Sequence, residues 1–145
     1  MDVAVATQVV QHDMNTSALG DPVGLLSGIN EIFLSANREM NKVLCEILKE
    51  KNIHYVEGII ATGDLFLHKP ETKEKIHNRF EAIAGEMEGA SIGQVCYLNK
   101  VPFVVLRTIS DDASGHAPAS FEAFAGEAAV LACGIVRRFA ALMEG

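Results

Sequence analysis

The sequence is poor in positive charge and contains no long apolar run. Its 145 residues include 12 Lys and Arg against 19 Asp and Glu, which gives a net charge of −7. This balance argues against a nucleic-acid groove or an anionic membrane surface as a partner. No segment approaches the ~20 apolar residues that span a bilayer, and the N-terminus lacks the pattern of a signal peptide. We therefore expect no nucleic acid and no membrane among its partners.

Cysteine pairs, histidine pairs and phosphate-binding loops are also missing. The 3 cysteines show no C-x-x-C spacing and lie in apolar helical patterns, which is typical of buried free thiols in a reducing cytosol. No two histidines lie three or four positions apart, so we expect no zinc site. There is no glycine-rich phosphate loop and no internal repeat. We predict a cytoplasmic protein that needs neither a metal nor a cofactor.

Strand and helix patterns alternate along the chain, which is typical of an α/β fold. With 49% hydrophobic residues, residues 1–145 are long enough to form a single domain with its own core. We predict strands at 2–10, 54–61, 82–87 and 101–109. We predict a long loop at 12–28 and helices that end near residues 48, 80, 98 and 143.

Two of these helices carry further expectations. The helix that ends near Leu48 is expected to be capped by Asn30 or Ser35, because their side chains accept backbone hydrogen bonds well. The helix at 121–143 is apolar on several sides, so we expect it to be largely buried.

The most informative stretch is VPFVVLRTISD, which runs from Val101 to Asp111. Its first six residues are almost all apolar and rich in β-branched types, which predicts a central strand buried on both faces. The strand then ends in Arg107, Ser110 and Asp111. Because open α/β sheets bind ligands where their strands end, we expect a ligand site there.

Two glutamates at the end of another predicted strand provide a partner for that charge. Glu86 and Glu88 lie two positions apart, so in a strand they share one face. Two neighbouring carboxylates repel each other unless a cation meets them, and Arg107 is the obvious cation. These residues alone leave two interpretations open, a ligand site or a buried ion pair that only supports the fold.

The motifs together are more specific than any one of them. Glu86–Ala90 (EMEGA), Val101–Asp111 and Ser120–Phe124 (SFEAF) resemble the methylthioadenosine/S-adenosylhomocysteine nucleosidase branch of the nucleoside phosphorylase superfamily. Shorter matches lie upstream: DVAV at Asp2, HD at His12, ALG at Ala18 and ATGDLF at Ala61. The resemblance implies an α/β fold with a nucleoside-phosphorylase-like mixed central sheet flanked by helices.

The resemblance also implies an activity. The family hydrolyses the N-glycosidic bond of adenine thionucleosides to adenine and a 5-thioribose, in methionine salvage. Asp111 matches the family's catalytic acid, which stabilises the departing purine near N7. Such a carboxyl group acts on a transition state in which negative charge builds on the base.

Binding roles follow from the same resemblance. It places Met87, Glu88 and Arg107 at the ribose. It places Phe66, Leu67, Ser110 and Phe121 at the purine. Thr16 and Leu19 match a loop that meets the 5′ substituent from a neighbouring subunit, so a homodimer is implied. The implied small-molecule partner is an adenine nucleoside.

The resemblance begins at Asp2 and implies only the C-terminal part of a nucleosidase domain, so the expected sheet lacks the family's N-terminal strands. Neither the family's water-activating glutamate nor its Gly/Ser-rich loop has a counterpart here. We therefore expect the chain alone to bind adenine nucleosides weakly and to turn them over slowly. Two alternatives are a purine or uridine nucleoside phosphorylase, and a non-catalytic fragment that acts as an interaction module.

Overall fold

The computed structural model describes residues 2–110 and 121–144, and in the second range it describes side chains from residue 124 onward. Its strands are β1 (Val3–Gln11), β2 (Phe33–Ser35), β3 (Tyr55–Thr62), β4 (Ala82–Glu86) and β5 (Leu106–Thr108). Its helices are α1 (Arg38–Glu50), α2 (Pro70–Phe80), α3 (Gly89–Leu98) and α4 (Phe121–Met143). One turn of 3₁₀ helix, Ser17–Leu19, interrupts the predicted loop.

The strands form one mixed sheet in which β1 has the most neighbours. β1 pairs in parallel with β3, and β3 pairs in parallel with β4. Along its other edge, β1 pairs antiparallel with β5 at Val3–Val5 and with β2 at Gln8–Val10. This sheet, flanked by helices, confirms the predicted α/β class and its mixed central sheet.

The core forms on both faces of β1 because its apolar residues alternate in direction. Val3 and Val5 pack with residues of α1 and α4, and Ala4 and Ala6 pack with residues of α3. A third cluster joins α2 to the far ends of β1 and β3. The sheet is therefore fixed from both sides next to the strand ends that carry polar groups.

The predicted caps of the first long helix are wrong. Phe33–Ser35 forms strand β2, in which Leu34 is buried and pairs with β1. The helix begins at Arg38, because the side chain of Asn37 accepts a hydrogen bond from the backbone N–H of Met40 at 2.9 Å. Pairing with β1, a contact distant in sequence, outweighs the helical spacing of the apolar residues here.

The prediction of a central strand at 101–109 is confirmed only in part, and its extent is wrong. Only Leu106–Thr108 forms a strand, which pairs with β1. Before it, the carbonyl of Phe103 accepts from Asn37 N–H at 2.8 Å, and Val105 accepts from Ala6 N–H at 2.9 Å. The apolar run therefore crosses from α1 to the edge of β1. Phe103 is buried, but Val101 is exposed.

Helix α4 is less buried than predicted. Among its described side chains, Ala128 and Ile135 are buried, whereas Val130 and Val136 are exposed. A single stripe of the helix packs on α1.

The prediction of buried thiols is confirmed for Cys45, while Cys96 is partly exposed and Cys133 is exposed. In the part of the chain that the structure describes, no helix has the length and apolar character needed to cross a membrane.

Candidate active site

Polar residues meet where three neighbouring strands end. Gln11 of β1 pairs with Thr62 of β3, and Thr62 pairs with Glu86 of β4. Parallel strands end at the same side of a sheet, so the segments that follow them lie side by side. The chain after β3 begins with Gly63, whose N–H donates to the carbonyl of Glu86 at 3.1 Å.

Glu86 is the buried acid of the site. Its side chain is 7% exposed, and its carboxylate accepts the backbone N–H of Gly89 at 2.7 Å and of Glu88 at 3.1 Å. The Thr62 hydroxyl and the Arg107 guanidinium also donate to it. Burial raises the pKa of Glu86, but these donors outweigh burial and hold that pKa below its ordinary value. Glu86 is therefore a fixed anion that also caps α3.

Arg107 joins the two glutamates of the motif. It lies on β5, and its Nη2 donates to both Glu86 and Glu88. Burial lowers the pKa of Arg107, but the two carboxylates more than compensate and raise it. Arg107 is therefore a permanent cation between two acids.

Glu88 is the accessible acid. Its side chain is 60% exposed, and it lies at the N-cap of α3 without capping the helix itself. Arg107 holds one of its oxygens. Among residues 2–110 and 121–144, Arg107 is the recorded donor to this carboxylate, so lone pairs remain that can accept hydrogen bonds from a ligand, which suits a pair of sugar hydroxyls.

A cavity of about 880 Å³ has Glu86 and Arg107 in its wall. Much of the rest of the wall comes from the first residues of β1 and β3, at the opposite ends of these strands from Gln11 and Thr62. The walls of the cavity come from β1, β3, β4, β5 and α2. Of the sequence-predicted site residues, Leu67, Arg107 and Ser110 line it, together with Glu86. The other predicted site residues with described side chains do not line this cavity: Met87, Glu88, Phe66, Thr16 and Leu19. The volume lies in the range of small-molecule sites.

The segment after β3 carries the predicted purine residues. Phe66 is 73% exposed, and its ring lies parallel to that of His68 with centroids 6.3 Å apart. Leu67 packs over Gly85 of β4, where a Cβ atom would overlap with the Cδ1 atom of Leu67. The absence of a side chain at Gly85 therefore lets Leu67 lie close to the sheet.

The loop after β1 is tied to the loop after β3. Asp13 accepts the backbone N–H of Asp64 at 2.7 Å and the side chain of Gln11 at 2.8 Å. The ring of His12 packs against Gly63, and its Nε2 has no hydrogen-bond partner among the described residues. Burial lowers the pKa of His12, although Asp13 opposes this shift. His12 is therefore a neutral ring packed against the first residue after β3.

Thr16 and Leu19 lie farther along the same loop. The Thr16 hydroxyl donates to Asp21 at 2.8 Å, and the side chain of Leu19 is 83% exposed. Asp111 lies outside the described residues. Phe121 is the first residue of α4, and its side chain lies outside them too.

Sequence reasoning gave no role to Thr62, Gly85 or Asp13, although Asp13 and Thr62 lie in the matched HD and ATGDLF motifs. The resemblance assigned Glu88 and not Glu86 to the ribose, but the strand pattern placed both acids on one face. A signal existed for Thr62, which directly precedes the Gly-Asp pair at a strand end. Within 2–110 and 121–144, no group of three or more His, Cys, Asp or Glu side chains is arranged to hold a metal ion.

Comparison with known proteins identifies the family of this chain. A family model described as the Phosphorylase superfamily matches residues 1–141. The aminodeoxyfutalosine nucleosidase of Helicobacter pylori is 44% identical over 123 residues, which cover 85% of this chain and 53% of that protein. The 5′-methylthioadenosine/S-adenosylhomocysteine nucleosidase of Staphylococcus epidermidis is 36% identical over 130 residues, covering 89% and 57%. The chain thus spans about half the length of these curated relatives.

Solved structures agree in fold. The 5′-methylthioadenosine/S-adenosylhomocysteine nucleosidase of Campylobacter jejuni superposes with a TM-score of 0.90 at 40% identity, covering 96% of this chain and 60% of that one. The futalosine hydrolase of Helicobacter pylori superposes with a TM-score of 0.85 at 38% identity, covering 96% and 58%.

Proposed function

Because the chain belongs to the phosphorylase superfamily, we propose that it forms the base- and sugar-binding part of a nucleosidase. The reaction is hydrolysis of the N-glycosidic bond of an adenine nucleoside. The observation that carries this proposal is the Glu86–Arg107–Glu88 cluster beside the cavity. It leaves one carboxylate exposed and oriented, as recognition of ribose hydroxyls requires.

Glu88 is proposed to accept hydrogen bonds from the ribose hydroxyls, with Met87 packed against the sugar. As the glycosidic bond breaks, the sugar gains positive charge, so a nearby carboxylate stabilises the transition state more than the ground state. Arg107 keeps Glu88 in place and, through its own bond to Glu86, offsets part of the local negative charge. Glu86 and Arg107 therefore support the site, and Glu88 contacts the substrate.

The departing base is assigned to the other predicted residues. Phe66 offers an exposed ring on which a purine can stack, and Leu67 offers backbone groups to the purine edge. Ser110 lines the cavity, and Asp111, the next residue in the chain, is proposed as the acid at N7. Phe121 is proposed to cover the base.

A second copy of the chain is proposed to complete the site. Thr16 and Leu19 of one subunit would meet the 5′ substituent of a nucleoside bound by its partner. The high exposure of Leu19 supports this assignment, because removing an exposed apolar side chain from water favours association with a partner that covers it. We propose a homodimer that works in the cytoplasm.

Two kinds of 5′ substituent are worth testing. The relatives include methylthioadenosine/adenosylhomocysteine nucleosidases and aminodeoxyfutalosine nucleosidases, and the latter share 41–44% identity with this chain. A place in methionine salvage follows only from the first kind of substrate. Aminodeoxyfutalosine therefore belongs in the first assay beside methylthioadenosine and adenosylhomocysteine.

The experiment measures release of the free base from each of these three compounds by the purified chain, with and without added phosphate. We expect release that does not depend on phosphate and is slow for this chain alone. Release that requires phosphate would instead make the protein a phosphorylase. A chain that neither binds nor cleaves any of the three compounds would contradict the proposal.

A further inference from the structure

Thr62 is the most deeply buried polar side chain of the site. It is the last residue of β3 and is 1% exposed. Its hydroxyl donates to the carboxylate of Glu86 and accepts the backbone N–H of Ala90 at 2.7 Å. The hydroxyl thus uses both its proton and a lone pair, so its position is defined from two sides.

We propose that Thr62 is a positioning residue for the sugar-facing carboxylate of Glu88, and that it acts through Glu86 and Arg107. The inference rests on the proposed function for the identity of the ligand. It does not rest on it for the chain of contacts, which joins side chains from β3, β4, β5 and the start of α3.

The first step of this chain orients Glu86. Three consecutive N–H groups at the start of α3 meet acceptors here, with those of Glu88 and Gly89 bound by Glu86 and that of Ala90 bound by Thr62. Because Thr62 also donates to Glu86, both side chains are locked to the same helix end. One oxygen of Glu86 is then presented to Arg107 in one orientation.

The second step transfers that orientation to Glu88. Nη2 of Arg107 contacts Glu86 and Glu88 at once, so a rotation of Glu86 changes where Arg107 holds Glu88. Glu88 is exposed and long, and it therefore has many rotamers to lose on binding a ligand. A Glu88 side chain that Arg107 already holds has fewer rotamers to lose, so ligand binding costs less side-chain entropy.

A matched pair of variants separates the hydroxyl from the shape of the residue. Thr62→Val keeps the branched shape but removes the hydroxyl, whereas Thr62→Ser keeps the hydroxyl. We expect Thr62→Val to raise the dissociation constant for methylthioadenosine up to about tenfold, the order of the affinity lost when one rotamer-rich side chain must be ordered on binding. We expect Thr62→Ser to stay near the wild-type value. Where turnover is measurable, KM should rise and kcat should fall, because Glu88 is proposed to act on the transition state as well as on the bound substrate.

A double-mutant cycle tests the route through Glu88. In a Glu88→Ala background, Thr62→Val should cause no further loss of affinity, because the side chain that Thr62 positions is gone. An unchanged tenfold loss in that background, or equal affinities of wild type and folded Thr62→Val, would overturn the proposal. If wild type itself binds no nucleoside, the proposed function fails first.

A spectroscopic measurement keeps the positioning role testable in that case too. The guanidinium signals of Arg107 in NMR spectra report its contacts directly, without any ligand. We expect them to shift or broaden in Thr62→Val and to persist in Thr62→Ser. Unchanged Arg107 signals in a folded Thr62→Val variant would show that Thr62 only supports the fold.

Discussion

At the scale of single residues, the fold gives different environments to two glutamates that the sequence places in similar ones. Glu86 is the last residue of β4 and is buried, whereas Glu88 lies beyond the strand, at the start of α3, and is exposed. The alternation that puts residues i and i+2 on one face applies only inside a strand. Here it stops at Glu86, so the pair divides into a buried acid and an exposed acid, and the exposed one is the proposed ligand contact.

The buried acid predicts a specific pH dependence of stability. The folded pKa of Glu86 lies below its ordinary value, so its stabilisation is complete above the ordinary carboxyl range, about pH 4. It is lost as the pH falls through the folded pKa. We expect Glu86→Gln to lower the free energy of unfolding by about 2 kcal/mol at pH 7 and to weaken its acid dependence. Urea unfolding of both proteins from pH 7 to pH 3 measures this. Parallel acid dependences of the two proteins would show that Glu86 is not a stabilising anion.

The proposed acid predicts a kinetic effect. Asp111→Asn removes a proton donor that acts mainly in the transition state, so turnover should fall about 10²–10⁴-fold while the dissociation constant of the nucleoside changes little. Single-turnover kinetics together with calorimetric binding separate the two quantities. Glu88→Gln serves as the comparison, because it should weaken both. Weaker binding with unchanged turnover would make Asp111 a binding residue only.

At the scale of elements, the start of α1 shows how strand pairing decides which of two capping residues caps the helix. Ser35 and Asn37 are both good capping residues, but Ser35 is paired with β1, so only Asn37 is free to cap. We expect Asn37→Ala to lower the free energy of unfolding by about 1 kcal/mol. Ser35→Ala, on an exposed strand position, should change it by less than about 0.5 kcal/mol. Denaturant titration of both variants tests this. A larger loss of stability in Ser35→Ala than in Asn37→Ala would instead support Ser35 as the cap, as the sequence predicted.

The contact between β4 and the segment after β3 predicts an effect of a single methyl group. Gly85→Ala should displace the Cδ1 methyl group of Leu67, which is the end of a flexible and partly exposed side chain. We expect a loss of at most about 1 kcal/mol in stability, the lower end of the cost of overpacking, and weaker nucleoside binding, because the segment that carries Phe66 moves with Leu67. Thermal unfolding and calorimetry measure the two effects.

Two controls accompany Gly85→Ala. Gly126→Ala places the same methyl group on α4, where a Cβ meets nothing within 4 Å, and it should stabilise the protein because alanine favours helix. Adding Leu67→Ala to Gly85→Ala should recover much of the lost stability by removing the overlap. Wild-type stability and binding in Gly85→Ala would show that Leu67 readily finds another position.

At the scale of the whole molecule, the apolar face of α3 bears on the proposed homodimer. Ile92, Val95 and Leu98 recur every three residues along α3 and are each more than half exposed. We expect the chain to sediment as a dimer and Val95→Glu to shift it toward monomer. Analytical ultracentrifugation over a range of concentrations tests this. Val130→Glu, on the exposed face of α4, is the control, and dissociation by that variant alone would place the interface on α4.

Much of the fold was predictable because its signals are local. The spans of β1, β3, α2 and α3 follow from residue periodicity and from Pro70 at the start of α2. The family was predictable as well, since the E-M-E and R-x-I-S-D motifs are each contiguous in the chain, and the family model that matches residues 1–141 confirms the superfamily. The proposed roles of all the site residues stay predictions, and the side chains of Asp111 and Phe121 also lie outside the described residues.

The sequence by itself determined the α/β class, most element positions and the motif that names the family, because each depends on neighbours along the chain. Only the tertiary structure decided that Phe33–Ser35 is a strand, that residues 101–105 cross between elements, and that Glu86 is buried while Glu88 is not. These outcomes depend on strand pairing and packing between residues far apart in sequence, and no local pattern encodes which distant partner a segment meets.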